Sequence, residues 1–512
     1  MQSTRTGRAA AGFSSSAAQY ALQIVLQAFL APIILRYAGR ETLGAYAALY
    51  QGLNFLALVD FGYSQPLERF LAQAHGKSDA GEGFRNIFGT FRTLLLISNF
   101  VFAVLVLLYA YKVGAIFHLS APIAHQARLG LILLSIWAFI RTPLSAYSSA
   151  LFAVQELAPL NGVLGVMNVT RLFISLILVR LGAGLLGLMV AALATEILGN
   201  LAYRWLFLHK YPEREPSWGF RDRHLLNEIL HFGGHTAIMQ IASLITFSSG
   251  SLFVGFLFGA DTVAIYYTTQ TPCLLLYNMI FRLSDNAGPA LNDLWAAGEF
   301  DRVRTGYRKL MTYSAVCAAT LIAGLLLFNG VLVSFWVGTR QYAGFAATAA
   351  LALVVVVFVL DHVNGLFAVV IGKMPLMTKT TIIQSLLMVP LTLVLSHLFG
   401  IAGVILASGL ALLPRAVVLT TGLARALNLS LRGWSRIALQ IARYLSAPVL
   451  GSTIFLLLTR SFPLTWQLFA GVGLFTTLAI LSLYRSSLMR AEFDYVTGAL
   501  RTRLLRLRAT PV

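Results

Sequence analysis

The chain has 512 residues, 58% of them hydrophobic and only 11% charged. A soluble globular chain carries about 25% charged residues, so this composition excludes a water-soluble enzyme and implies a polytopic membrane protein. The net charge is +19, from 38 Lys+Arg against 19 Asp+Glu. Nucleic-acid binding would gather that charge on one polar face. Here it sits in short spacers between apolar runs, so no nucleic-acid partner is expected.

A bilayer-spanning helix needs about 20 apolar residues. In chain order, the runs bounded by charge, Gly or Pro predict spans at 13–36, 42–64, 86–111, 126–152, 158–180 and 184–207. Six more follow at 232–258, 262–284, 309–336, 343–371, 376–398 and 401–423, and two last at 442–459 and 464–484. The expected fold is therefore an all-α polytopic protein of about fourteen transmembrane helices. Its predicted units are an N-lobe (1–207), a cytoplasmic linker (208–231), a C-lobe (232–424), a linker with two further helices (425–484) and a basic tail (485–512). Arg5 and Arg8 precede an apolar run longer than a signal-peptide core, so the first span is expected to stay. In the tail, Phe493, Val496, Leu500, Leu504 and Leu507 form an apolar helical stripe flanked by Arg501, Arg503, Arg506 and Arg508. This pattern predicts an amphipathic helix on the anionic inner leaflet, with membrane lipids as partners.

The loops orient the chain. With the N-terminus inside, only Arg36, Arg40, Lys112, Arg128, Arg180, Arg340 and Arg460 fall outside, and four arginines lie within spans. Every other basic residue is in or beside a cytoplasmic segment, so the positive-inside rule places both termini in the cytoplasm. The longest loops, 65–85, 208–231 and 285–308, are cytoplasmic and suit short interfacial helices. No outside loop is long enough for a catalytic domain, which argues against a membrane polymerase or ligase and against any enzyme. Cys273 and Cys317 lie in apolar runs without ligand spacing. With no CxxC, HExxH or P-loop, no metal, cofactor or catalytic residue is expected.

The chain also repeats itself. GRETLGAY at 39–46 resembles GADTVAIY 220 residues later. LFAV at 151–154 recurs at 366–369, Pro159 is matched by Pro375, and LLGLMVAA at 185–192 parallels IAGVILAS at 401–408. Order, spacing and helix position are all kept, so spans 1–6 and 7–12 read as two copies of one unit. Six spans per copy make the repeats parallel, as in several transporter folds.

Charges within spans are the candidates for function, because each costs about 2.5–3.5 kcal/mol at the bilayer centre. Arg141, near the middle of predicted helix 4, Arg171 in helix 5, Arg282 in helix 8 and Arg415 in helix 12 are candidate substrate contacts. Arg binds phosphate through two parallel hydrogen bonds and does not deprotonate, so an anion, above all a phosphate or pyrophosphate, is the expected guest. Glu196 in helix 6 and Asp361 with His362 in helix 10 are candidate ion-coupling groups or charge partners. Glu196, Asn200 and Arg204 share one helix face. Gln19, Gln23 and Gln27 make a polar stripe on helix 1, from which Gln23 is taken as a candidate substrate contact. The repeat copies none of the embedded charges, as a site for one asymmetric ligand would require.

The plan of six, six and two spans with short outer loops resembles the polysaccharide (O-antigen and exopolysaccharide) flippases of the multidrug/oligosaccharidyl-lipid/polysaccharide exporter superfamily. VDFGYSQPLERFLAQ at 59–73 is similar to that family's helix-2 exit, with Asp60, Gly62 and Arg69 in the places of its structural motif. RETLGAYAALYQ at 40–51 and LGAGLLGLMVAA at 181–192 also resemble family text. The resemblance implies a flippase in the bacterial inner membrane that carries undecaprenyl-pyrophosphate-linked glycan units for lipopolysaccharide O-antigen, capsule or exopolysaccharide. It further implies a cationic lumen that alternates between inward-open and outward-open states, and a polysaccharide polymerase and export machinery as partners. In the related lipid II flippases the terminal helices form a groove for the lipid tail, and helices 13–14 are expected to do the same. The glutamines of helix 1 replace that group's cationic pattern and point away from lipid II itself. The competing expectation is a multidrug/cation antiporter of the same fold.

Overall fold

The structure is a computed structural model that describes residues 5–56, 64–75, 82–144, 146–215, 249–285, 287–429 and 434–485, with a few isolated positions between 216 and 248. Among the described residues all regular structure is helical, as expected where no water can satisfy exposed backbone groups. The helices in chain order are α1 (Arg5–Tyr37), α2 (Arg40–Leu56), α3 (Ser64–His75), α4 (Glu82–Ile116), α5 (Ala121–Ile140), α6 (Tyr147–Ala153), α7 (Leu157–Arg180) and α8 (Gly184–Lys210). They continue as α9 (Gly250–Phe258), α10 (Ala260–Asp285), α11 (Gly288–Ala296), α12 (Phe300–Val337), α13 (Phe345–Val370), α14 (Met374–Ala426), α15 (Trp434–Leu458) and α16 (Leu464–Arg485).

Nine of the described helices are long and apolar enough to cross a membrane. One of them, α14, runs for 53 residues and turns at Gly400 (φ 55°, ψ −131°), so it contains two of the predicted spans. Predicted helix 7 is described chiefly in its last part, α9, and the basic tail 486–512 lies outside the described residues. The cytoplasmic loops 65–85 and 285–308 do hold short helices, α3 and α11. α4 and α12 extend well past their predicted spans. At 35 and 38 residues each is over about 50 Å long, against a hydrocarbon core of about 30 Å.

Predicted helix 4 differs most. The sequence suggests one helix over 126–152, but the chain leaves the α-helix at Arg141, makes a 3-10 turn over Thr142–Leu144 and restarts as α6 after Ala146 at φ 72°. Pro143 lacks an N–H and disfavours helical geometry at the residue before it. Arg141 therefore caps the end of α5 instead of sitting in mid-helix.

The described residues form two compact units that divide within α10, between Tyr267 and Thr268. Each carries an aromatic and aliphatic core toward the end of its helices. In the first unit this core includes Phe91, Leu151, Val154 and Phe207. In the second it includes Tyr307, Phe367, Val370 and Leu423. Each of these lies 216 residues after its counterpart, the spacing of the sequence matches. The turns repeat too: Gly184 (φ 50°) corresponds to Gly400 (φ 55°), a left-handed conformation open chiefly to glycine. Within the first core, Phe88 meets Tyr147 edge to face at 5.2 Å and Phe84 stacks on Phe207 at 5.8 Å. Such ring pairs contribute about 0.5–1.5 kcal/mol each beyond burial. α15 and α16 pack on α12 through Val316, Tyr444 and Ala479 and through Ala323, Phe328 and Phe475.

Candidate functional site

In the first unit, helices α2, α4, α5, α7 and α8 surround a cavity of about 430 Å3. Among its described lining residues the charged groups are Arg141, Arg171 and Glu196, and around them stand Tyr46, Tyr50, Asn54, Asn168, Asn200 and Tyr203. The break at Pro143 presents Arg141 to this space. Its Nη1 donates to Glu196 Oε1 at 2.9 Å, while Nε and Nη2 donate to Asn99 Oδ1 at 3.2 and 3.0 Å. Asn99 is held in turn by donating to Thr142 Oγ1 at 3.2 Å. The guanidinium also lies 5.6 Å from the Phe102 ring centroid, a cation–π contact worth about 0.5–2 kcal/mol. The ion pair is open to the cavity, with 29% of the Arg141 and 33% of the Glu196 side chain exposed.

Arg171 is placed differently. From α7 its Nη2 donates to the Tyr46 hydroxyl at 2.6 Å, and it makes no ion pair among the described residues. Two guanidiniums thus face one carboxylate, and the cavity carries a net positive charge inside an apolar helix bundle. Asn200, one turn beyond Glu196, donates to the Glu196 carbonyl at 2.8 Å. Arg204, on the same face, does not line the cavity; it pairs with Glu215 at 3.4 Å near the cytoplasmic end of α8.

The second unit holds its charges in a sealed arrangement. Arg415 Nη2 meets Asp361 Oδ2 at 3.2 Å, with only 10% and 4% of the side chains exposed. Its Nη1 donates to Thr381 Oγ1 at 2.9 Å and to Gln384 Oε1 at 3.4 Å. His362, next on α13, faces the other way, with Nε2 2.8 Å from Asp285 Oδ1 and its ring stacked on Phe281 at 3.9 Å. Arg282 is exposed on α10. A separate groove of about 800 Å3 between α10, α12 and α16 is almost wholly apolar, lined by residues such as Leu276, Ile280, Leu325, Phe328, Leu468 and Phe475.

Residues 9–287, more than half the chain and all of the first-unit cavity, match the family described as polysaccharide biosynthesis protein. The chain belongs to that family. It is 20% identical over 432 residues to the uncharacterized membrane protein EpsK of Bacillus subtilis (strain 168), covering 80% of this chain and 81% of EpsK. The fold is that of the lipid II flippase MurJ in an inward closed conformation, with a TM-score of 0.66 and 14% identity over 93% of this chain and 98% of that one. It is shared with an inward-facing multidrug resistance MATE family transporter of the MOP superfamily, with a TM-score of 0.63 and 16% identity over 80% and 95% of the two chains. The protein is thus a flippase-like transporter of the polysaccharide biosynthesis family, in a fold common to flippases and MATE transporters.

Of the residues singled out in this family member's sequence, the structure brings Arg141, Arg171 and Glu196 into one cavity. Arg415 and Asp361 form a buried pair in the second unit, and His362 and Arg282 stand apart from that pair. Gln23 lies on α1 outside the cavity; its neighbour Gln19 lines a groove of about 500 Å3 against α7 with Asn161 and Gly165. Asp60, Gly62 and the side chain of Arg69 lie outside the described residues. The phenols and amides of the cavity escaped the sequence reading. A signal was present: Tyr46, Tyr50 and Asn54 recur every four residues on α2, and Asn168 precedes Arg171 by three on α7, so each set shares a helix face.

Proposed function

We propose that this protein is a flippase that carries polyprenyl-pyrophosphate-linked oligosaccharide units across the bacterial inner membrane by alternating access, for cell-surface polysaccharide assembly. The observation that carries this reading is Arg171, a guanidinium facing the cavity beside the Arg141–Glu196 pair with only a phenol for a partner. A permanent cation there favours an anionic guest, and a pyrophosphate offers the planar fork of Arg paired acceptors. Tyr46, Tyr50, Asn168 and Asn200 supply aromatic faces and amide groups suited to sugar hydroxyls. The apolar groove beside α16 suits a prenyl tail that stays at the lipid boundary while the head group enters the lumen. Both termini lie in the cytoplasm in this reading, and a polysaccharide polymerase and export machinery receive the product.

The likeness to a MATE transporter supports a second reading, a multidrug/cation antiporter. The net positive cavity disfavours it, since a cationic drug would meet two arginines and one acid. Glycan-export complementation with Arg141→Gln and Arg171→Gln, at matched membrane levels, separates the two. The flippase reading expects export to fall at least about tenfold in Arg171→Gln, the loss of one charge-assisted contact. Full export by both variants would refute it.

A further inference from the structure

The two units each hold one Arg–carboxylate pair inside the bundle, and the pairs differ in access. Arg415–Asp361 is sealed, at 10% and 4% exposure. Arg141–Glu196 opens onto the cavity, at 29% and 33%. Arg141 is also held independently of its acid: Nε and Nη2 bind Asn99 Oδ1, so only Nη1 is committed to Glu196. Glu196 can leave without releasing the guanidinium from its place.

We infer that Glu196 is a resident counter-anion, displaced from Arg141 by the phosphate of an incoming head group, and that it takes up a proton as it is displaced. This rests on the flippase reading of the cavity. The charged groups facing Glu196 are Arg141 from α5 and Arg171 from α7, and the remaining titratable groups are the phenols of Tyr46 and Tyr50 on α2 and Tyr203 on α8. From α4 come Asn99 and Phe102, neither of which titrates. Once a phosphate oxygen accepts from Arg141 Nη1, the carboxylate has lost its cation and gained an anionic neighbour. Both changes favour its neutral form. A pyrophosphate diester stays ionised between about pH 5 and 8, where phenols remain protonated, so the carboxylate is the group that responds. One proton from bulk water ends on a Glu196 oxygen, and the phosphate oxygen takes the hydrogen bond it gave up. Binding takes up a proton, so affinity rises as pH falls.

The test is calorimetric titration of the purified full-length protein with a short-chain prenyl-pyrophosphate-linked hexose, in buffers of different ionisation enthalpy. Wild type is expected to take up about one proton per head group near neutral pH. Glu196→Gln is expected to take up none, to bind about tenfold more tightly because no anion competes for Arg141, and to lose the pH dependence. Glu196→Asp should restore uptake, which a merely structural role would not do. Arg171→Gln should weaken binding yet leave the uptake in place. Binding by wild type without proton uptake, or the same pH dependence in Glu196→Gln, overturns the exchange and leaves the flippase reading standing. If wild type does not bind the probe at all, both fall.

Discussion

Arg415 and Arg141 cost the same to place in a bilayer, but their surroundings assign them different work. Asp361 and Arg415 are almost wholly buried, and Asp361 Oδ1 has no hydrogen-bond partner in the described structure. Removing one member of such a pair strands the other charge, at a cost of about 3–5 kcal/mol, whereas replacing both by apolar residues is often neutral. Asp361→Asn should therefore lower the thermal midpoint of the detergent-solubilised protein sharply. The double variant Asp361→Leu with Arg415→Met should recover most of the loss. A double variant as unstable as the single one would show that Arg415 does more than balance Asp361. The four embedded arginines stood out in the sequence because charge is rare in apolar runs. Their partners did not, since Asp361 and Arg415 are 54 positions apart and meet only through the packing of α13 on α14.

At the scale of elements, hydropathy located the spans and missed a break within one. The run over 126–152 is apolar throughout, so nothing in its hydrophobicity marks the departure at Arg141; Pro143 does, through backbone geometry. Glycines act through geometry as well, in two distinct ways one turn apart. Gly39 ends the turn before α2 at φ 87° with nothing within 4 Å of an added methyl group. Gly44 lies within α2, where a methyl group would stand 1.7 Å from the Ala260 carbonyl oxygen and 3.1 Å from the Ala264 nitrogen. The first position needs a left-handed residue and the second needs no side chain at all. Gly39→Asn should be tolerated, because Asn enters the left-handed region readily. Gly44→Ala should lose about 1–3 kcal/mol by forcing α2 away from α10. Thermal unfolding of the two variants checks this, and equal effects would contradict it.

At the scale of the whole molecule, the alternation of sides rests on helices that hydropathy grades weakly. α2 has only 17 residues, about 26 Å at 1.5 Å per residue, slightly less than the hydrocarbon thickness. If α2 crosses with α1 and α4, the turn before α5 faces outward, and the turn after α8 faces the cytoplasm. If α2 does not cross, both sides exchange, and the basic loops would face outward against the positive-inside rule. Ala121 and Glu213 are exposed at these two turns, while Cys273 is buried and Cys317 half-buried in apolar surroundings. With both native cysteines replaced by Ala, a membrane-impermeant maleimide applied to intact spheroplasts should label Ala121→Cys and spare Glu213→Cys until the cells are opened. The reverse pattern would remove α2 from the membrane and carry the cavity with it, since Tyr46 and Tyr50 line that cavity from α2. The topology and the site are therefore one claim: Arg171 can meet Tyr46 at mid-bundle only if the short second helix spans the bilayer.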